Sequence, residues 1–135
     1  MTAIKQNTAI IKKEYHISKA RILARDLAIE INFDSVRVNQ IVTSVSELAN
    51  NIYFHCHAGG EICLMVIKAR KKIGLQIVAR DAGPGIPDVN AAMEDGFSTN
   101  HGLGGGLGGV KRLMDEFEIV STPGKGTTIT ARKWR

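Results

Sequence analysis

Seven of the fourteen glycines fall in one stretch, Gly96-Phe97-Ser98-Thr99-Asn100-His101-Gly102-Leu103-Gly104-Gly105-Gly106-Leu107-Gly108-Gly109. It runs directly into Val110-Lys111-Arg112-Leu113-Met114-Asp115-Glu116-Phe117, which reads as a helix. Backbone with few Cβ atoms approaches a ligand closely and tolerates positive φ. A helix N-terminus adds unpaired N–H groups and the positive end of the macrodipole. Joined, the two suit an anion, most simply a phosphate chain. A flexible linker would carry Ser or charge and would not lead at once into an apolar-patterned helix.

With 135 residues, 44% hydrophobic and 23% charged, the expectation is one globular domain spanning 1–135. No run reaches the roughly 18–20 apolar residues of a membrane span. Met1-Thr2-Ala3-Ile4-Lys5-Gln6 lacks the apolar core of a signal peptide, so a cytoplasmic protein without membrane partners is expected. Cys56 and Cys63 do not suggest a disulfide framework. The net charge of +5 favours an anionic ligand or an acidic partner. Aromatic residues are 5% and are not interleaved with the basic ones, which argues against nucleic acid.

Along the chain, Thr8 to Tyr15 reads as a strand. Ala20, Leu23, Ala24, Leu27, Ala28 and Ile31 follow at helical spacing. Asp34 or Ser35 is expected to cap a second helix. That helix carries Val38, Ile41, Val42, Val45, Leu48, Ala49 and Ile52 on one stripe and ends near Gly59-Gly60. Strands are expected at 61–67 and 74–80 as an antiparallel hairpin, then a short helix from Val89 to Met93, and strands at 118–121 and 127–131. The fold class is a two-layer α/β sandwich, with a mixed, mostly antiparallel sheet and helices on one face.

Glu47 and Asn51 stand four apart on the second helix, hence on one face. An amide oxygen can ligate Mg²⁺, and a carboxylate beside it can act as general base. Asp81 ends a strand and opens the Gly83-x-Gly85 turn, where its carboxylate can accept from an amino group such as that of adenine. Thr127 starts a strand after a Gly-rich turn. Gly104-x-Gly106-x-x-Gly109 matches the dinucleotide pattern, but no strand precedes it, and no Gly-Lys-Ser/Thr marks a P-loop. His55, Cys56, His57 and Cys63 lack a second paired cluster for zinc.

Taken in order, Glu47-x-x-x-Asn51, Asp81-x-Gly83-x-Gly85, Gly104-x-Gly106 before a helix, and Gly126-Thr127 resemble the four boxes of the GHKL (Bergerat-fold) ATPase and kinase superfamily. The resemblance spans nearly the whole chain. It is strongest to the small bacterial serine/threonine kinases that regulate sigma factors, in their stressosome switch-kinase branch. The residues carrying that likeness are 46–53, 93–99 and 111–117. It implies an ATP- and Mg²⁺-dependent protein serine/threonine kinase. Asn51 would hold Mg²⁺, and Glu47 would take the proton of an incoming hydroxyl. Asp81 and Thr127 would bind adenine, with Gly83 and Gly85 lining its pocket. Gly104, Gly106 and Gly108 would wrap the phosphates, and roughly Glu94 to Leu103 would form a lid.

One departure stands out. Related anti-sigma-factor kinases carry a lid arginine where this chain reads Asn100-His101-Gly102, so His101, Lys111, Arg112 or a partner protein would have to supply the charge. The implied partners are STAS-domain scaffold proteins as substrates and a PP2C-type phosphatase activated on release. Monomer and homodimer both stay open. A nucleotide-dependent binding module without kinase activity, akin to an anti-sigma factor, is the alternative reading. A small basic nucleic-acid-binding domain ranks third.

Overall fold

A computed structural model describes residues 1–86, 88–93 and 106–135. The elements in order are β1 (Thr2–Ile11), α1 (Glu14–Glu30), α2 (Ser35–His55), β2 (Gly60–Ala69), β3 (Lys72–Asp81), α3 (Val89–Ala92), α4 (Gly106–Leu113), β4 (Glu116–Thr122) and β5 (Gly126–Trp134). The five strands form one sheet in the order β1-β2-β3-β5-β4. Every described pairing is antiparallel, where a mixed, mostly antiparallel sheet was expected.

Period-two alternation sends Ile62, Leu64 and Val66 of β2, Leu75, Ile77 and Ala79 of β3, and Ile129 and Ala131 of β5 to one face. The helices bury their stripes there: Ala20, Ala24, Leu27 and Ala28 from α1, and Ile41, Val45, Leu48, Ala49 and Ile52 from α2. Leu107, Val110 and Met114 complete the same core around α4. The expected two-layer α/β arrangement therefore holds.

Boundaries differ from expectation at β1 and at α4, while the cap of α2 is one of the two residues expected. The first strand is Thr2–Ile11, not Thr8 to Tyr15, and Tyr15 belongs to α1. His16 ends the strand: its Nδ1 accepts the N–H groups of Lys12 and Lys13 at 3.0 and 2.9 Å, turning the chain and capping α1 from within. Asp34 is the cap of α2, accepting the Arg37 N–H at 2.8 Å. That hydrogen bond, with the Arg37 guanidinium beside it, holds the Asp34 carboxyl below its ordinary range.

The helix expected over 110–117 is Gly106–Leu113, four residues earlier at each end. Glu116 and Phe117 belong to β4, where residues 116–122 alternate exposed and half-buried along the strand. Leu107, Val110 and Met114 are the buried residues at helical spacing here, and a strand period takes over after them.

Candidate functional site

α2 is brought down onto the ends of β2 and β3 by glycine. A Cβ at Gly60 would lie 2.3 Å from the Arg80 carbonyl oxygen, 3.0 Å from Ile52 Cγ2 and 3.1 Å from Asp81 Cβ. Only a bare backbone lets the C-terminal half of α2 and the end of β3 share that space. One turn further on, Cys56 is buried, donates its thiol to the Gly59 carbonyl at 3.2 Å, and abuts Gly83. The helix carrying Glu47 and Asn51 is thereby fixed against the turn that follows Asp81.

Asp81 closes β3 and pairs directly with Thr127 on β5. Its Oδ1 accepts the Gly83 N–H at 3.0 Å, an Asx-type turn that orients the carboxylate and leaves Oδ2 for another donor. Thr127 is buried, and its Oγ1 lies 2.9 Å from Ser121 Oγ. Ser121 also accepts the Ile86 N–H at 2.7 Å, and the Gly124 N–H reaches the Pro84 carbonyl at 2.8 Å. The turn after Asp81 is thus tied to β4 and to the β4–β5 turn.

The glycines expected to line the adenine pocket have demands of their own inside the protein. Gly85 has φ +80°, and a Cβ there would meet the Thr122 carbonyl oxygen at 2.7 Å. Gly83 would press a Cβ to 3.0 Å of Cys56 Sγ. Gly108, expected at the phosphates, points its missing side chain at the Met93 carbonyl oxygen, 2.2 Å from an ideal Cβ, so it serves the contact of α4 with the end of α3. Gly106 opens α4 with φ 68°. Gly104, His101 and the expected lid from Glu94 to Leu103 lie outside the described residues.

Glu47 is 3% exposed, far below the norm for a carboxylate, while Asn51 one turn later is half-buried. Beyond Glu47 toward the start of α2, an open cleft of 460 Å³ runs along the packed helices: Val36, Asn39, Gln40 and Thr43 wall it on α2, and Gly109, Arg112 and Leu113 on α4. Of the cations considered for the missing lid charge, Lys111 is exposed and Arg112 stands in this cleft.

A lone amide oxygen fits Mg²⁺ that arrives with a nucleotide, since the ion keeps waters and phosphate oxygens as its other ligands. Among the described residues no three His, Cys, Asp or Glu side chains gather to hold a metal by themselves. The sequence does not single out Ser121, and it offers Cys56 only as a zinc candidate to be set aside. Their roles depend on contacts across the sheet and between helix and loop, and no local pattern signals them.

A five-stranded antiparallel sheet in the order β1-β2-β3-β5-β4, with its helices packed on one face, is the architecture of the histidine kinase-like ATPase class. The family model for the histidine kinase-like ATPase domain matches residues 11–133, and the chain belongs to that family. It is 50% identical over 129 residues, 96% of each chain, to the serine/threonine-protein kinase RsbT of Bacillus subtilis. It is 31% identical to an anti-sigma F factor of Caldanaerobacter subterraneus, over 92% of this chain and 89% of the other.

Among solved structures, the RsbU and RsbW domains of a Mycobacterium tuberculosis protein superpose at TM-score 0.64 with 18% identity, covering 98% of this chain and 33% of that one. The catalytic domain of the histidine kinase ThkA superposes at TM-score 0.54 with 14% identity, covering 97% and 98%. These structural likenesses establish the shared fold. Among the described residues, no helix is long and apolar enough to cross a membrane.

Proposed function

We propose that the chain is an ATP- and Mg²⁺-dependent protein serine/threonine kinase acting in the cytoplasm as a single domain. In this reading it phosphorylates STAS-domain scaffold proteins and, once released from them, binds and activates a PP2C-type phosphatase. The observation that carries it is the buried Glu47 one turn from Asn51, on a helix packed against both the Asp81 turn and α4. Half of the aligned residues shared with a serine/threonine-protein kinase over nearly the whole length supports the same activity.

Each residue then has a defined task. Asp81 Oδ2 accepts the adenine amino group while Oδ1 stays on Gly83. Thr127, oriented by Ser121, backs the base. The first N–H groups of α4 face the phosphates. Asn51 would hold Mg²⁺, which when bound neutralises phosphate charge. Glu47 accepts the proton of the attacking hydroxyl. Because phosphoryl transfer needs mainly positioning and charge stabilisation, a small rigid cleft suffices.

The test is transfer from labelled ATP to a purified STAS-domain protein. Glu47→Gln, which keeps the side chain's size, is expected to slow transfer by roughly 10²–10⁴-fold, the usual contribution of a general base, with ATP affinity retained. Undiminished transfer by that variant would remove Glu47 from the chemistry, and absence of transfer by the unmodified protein would remove the kinase reading.

A further inference from the structure

We propose that the cleft between the first half of α2 and α4 receives the acceptor protein as an extended segment, which delivers its hydroxyl to Glu47. This rests on the kinase reading above and adds the route by which the acceptor enters.

The order of residues on α2 carries the inference. Val36, Gln40, Thr43, Glu47 and Asn51 succeed one another at steps of three or four, so they form one stripe along the helix. The end of that stripe beyond Glu47 belongs to the nucleotide: Asn51, then Ile52 and Cys56 packed against the Asp81 turn. The other end opens into the cleft. In-line phosphoryl transfer brings the nucleophile from the side opposite the leaving ADP. With the base between the two regions, the acceptor has to arrive from the Thr43 side.

The chemistry of the cleft matches a peptide. Asn39 and Gln40 each offer an amide donor and acceptor, and Thr43 a hydroxyl, which together can satisfy the N–H and C=O groups of an extended backbone. Val36 and Leu113 provide apolar contact, and Gly109 gives a buried floor without a side chain. From Val36 to Glu47 the helix rises about 16 Å at ~1.5 Å per residue. That is the reach of about five extended residues at ~3.3 Å each. Among the described residues that line the cleft none is aromatic, so they offer no platform for the bases of a single-stranded nucleic acid.

The experiment combines kinetics with cross-linking, using a purified STAS-domain acceptor. The double variant Asn39→Ala, Gln40→Ala is expected to raise the KM for the acceptor roughly tenfold, as expected for one or two lost hydrogen bonds. Its kcat and its calorimetric ATP affinity should stay unchanged, the latter also reporting that it folds. A photo-reactive benzoylphenylalanine placed at Thr43 should cross-link to the acceptor, whereas the same group at the exposed Ile22 of α1 should not. An unchanged KM, a cross-link only from position 22, or a Thr43 cross-link joining two copies of this chain would overturn the assignment while wild-type transfer leaves the kinase reading standing. ATP binding without transfer by the wild type would remove that reading, and this inference with it.

Discussion

Ser121 Oγ lies 2.9 Å from Thr127 Oγ1 and takes the Ile86 N–H at 2.7 Å, so a single hydroxyl joins the two sides of the expected adenine pocket. Asp81 sits opposite Thr127 across the β3–β5 pair, with one carboxylate oxygen on Gly83. Deleting the hydroxyl leaves the Ile86 N–H without its partner, at a cost of about 1–3 kcal/mol. Ser121→Ala is therefore expected to lower the denaturation midpoint and to weaken ATP binding several-fold, because the turn after Asp81 loses its tie to β4. Thermal melts and calorimetry on the same samples check both. A normal melt with normal ATP affinity would show that the turn holds itself. The strand positions of Asp81 and Thr127 were legible in the sequence because an acid at a strand end and a threonine after a Gly-rich turn are local patterns. The contacts of Ser121 were not: its partners Ile86 and Thr127 are thirty-five and six residues away, and only the strand pairing brings them to it.

α4 is short, with three glycines among its eight residues, and intrinsic propensity alone would disfavour it. Replacing a helical glycine by alanine ordinarily gains about 0.5–1 kcal/mol. At Gly108 packing opposes this gain, because a Cβ would stand 2.2 Å from the Met93 carbonyl oxygen, a backbone atom with little room to retreat. Overpacking of this kind costs about 1–3 kcal/mol, so steric cost exceeds helix propensity. Gly108→Ala is expected to be destabilising and to reduce ATP affinity by moving the start of α4. A stabilised variant in a denaturant titration would refute that. The same element shows where sequence reading reaches its limit. The stripes of α1 and α2 and the β2–β3 hairpin were legible because their apolar periods run for several turns or residues. Around 113–117 the helical period of Leu107, Val110 and Met114 gives way to strand alternation within a few residues, and the exposed Glu116 fits either. Tertiary pairing with β5 decides it for the strand.

Across the whole molecule the sheet has two worked ends. Asp81, Thr127 and Ser121 gather at one, while at the other Trp134 pairs with Gly74, and a Cβ on Gly74 would lie 2.7 Å from its ring. The Trp134 indole N–H donates to Glu116 at 2.6 Å, and Arg132 bridges Glu116 at 3.0 Å and Gln76 at 2.7 Å, so β3, β5 and β4 are clamped together. The indole hydrogen bond first, and the Arg132 guanidinium with it, hold the Glu116 carboxyl below its ordinary value of 4.5. A carboxyl with a lowered folded value contributes stability that is present above its unfolded value and is lost as pH falls through the folded one. The clamp is therefore intact at neutral pH and weakens only below about 4.5. Solvent screening keeps the contribution small, since the Glu116 side chain is 45% exposed. Trp134 is the only tryptophan, so its emission reports the clamp directly. It is expected to titrate with a midpoint below that of a free glutamate, and the titration should shrink in Glu116→Gln. The stability difference between the two proteins, largest at neutral pH, should narrow as the solution is acidified. From Gly74 to Asp81 the strand extends about 23 Å at ~3.3 Å per residue, so ATP affinity at neutral pH should be the same in both. A loss of ATP binding in Glu116→Gln would mean that the two ends of the sheet are coupled through β3 and β5.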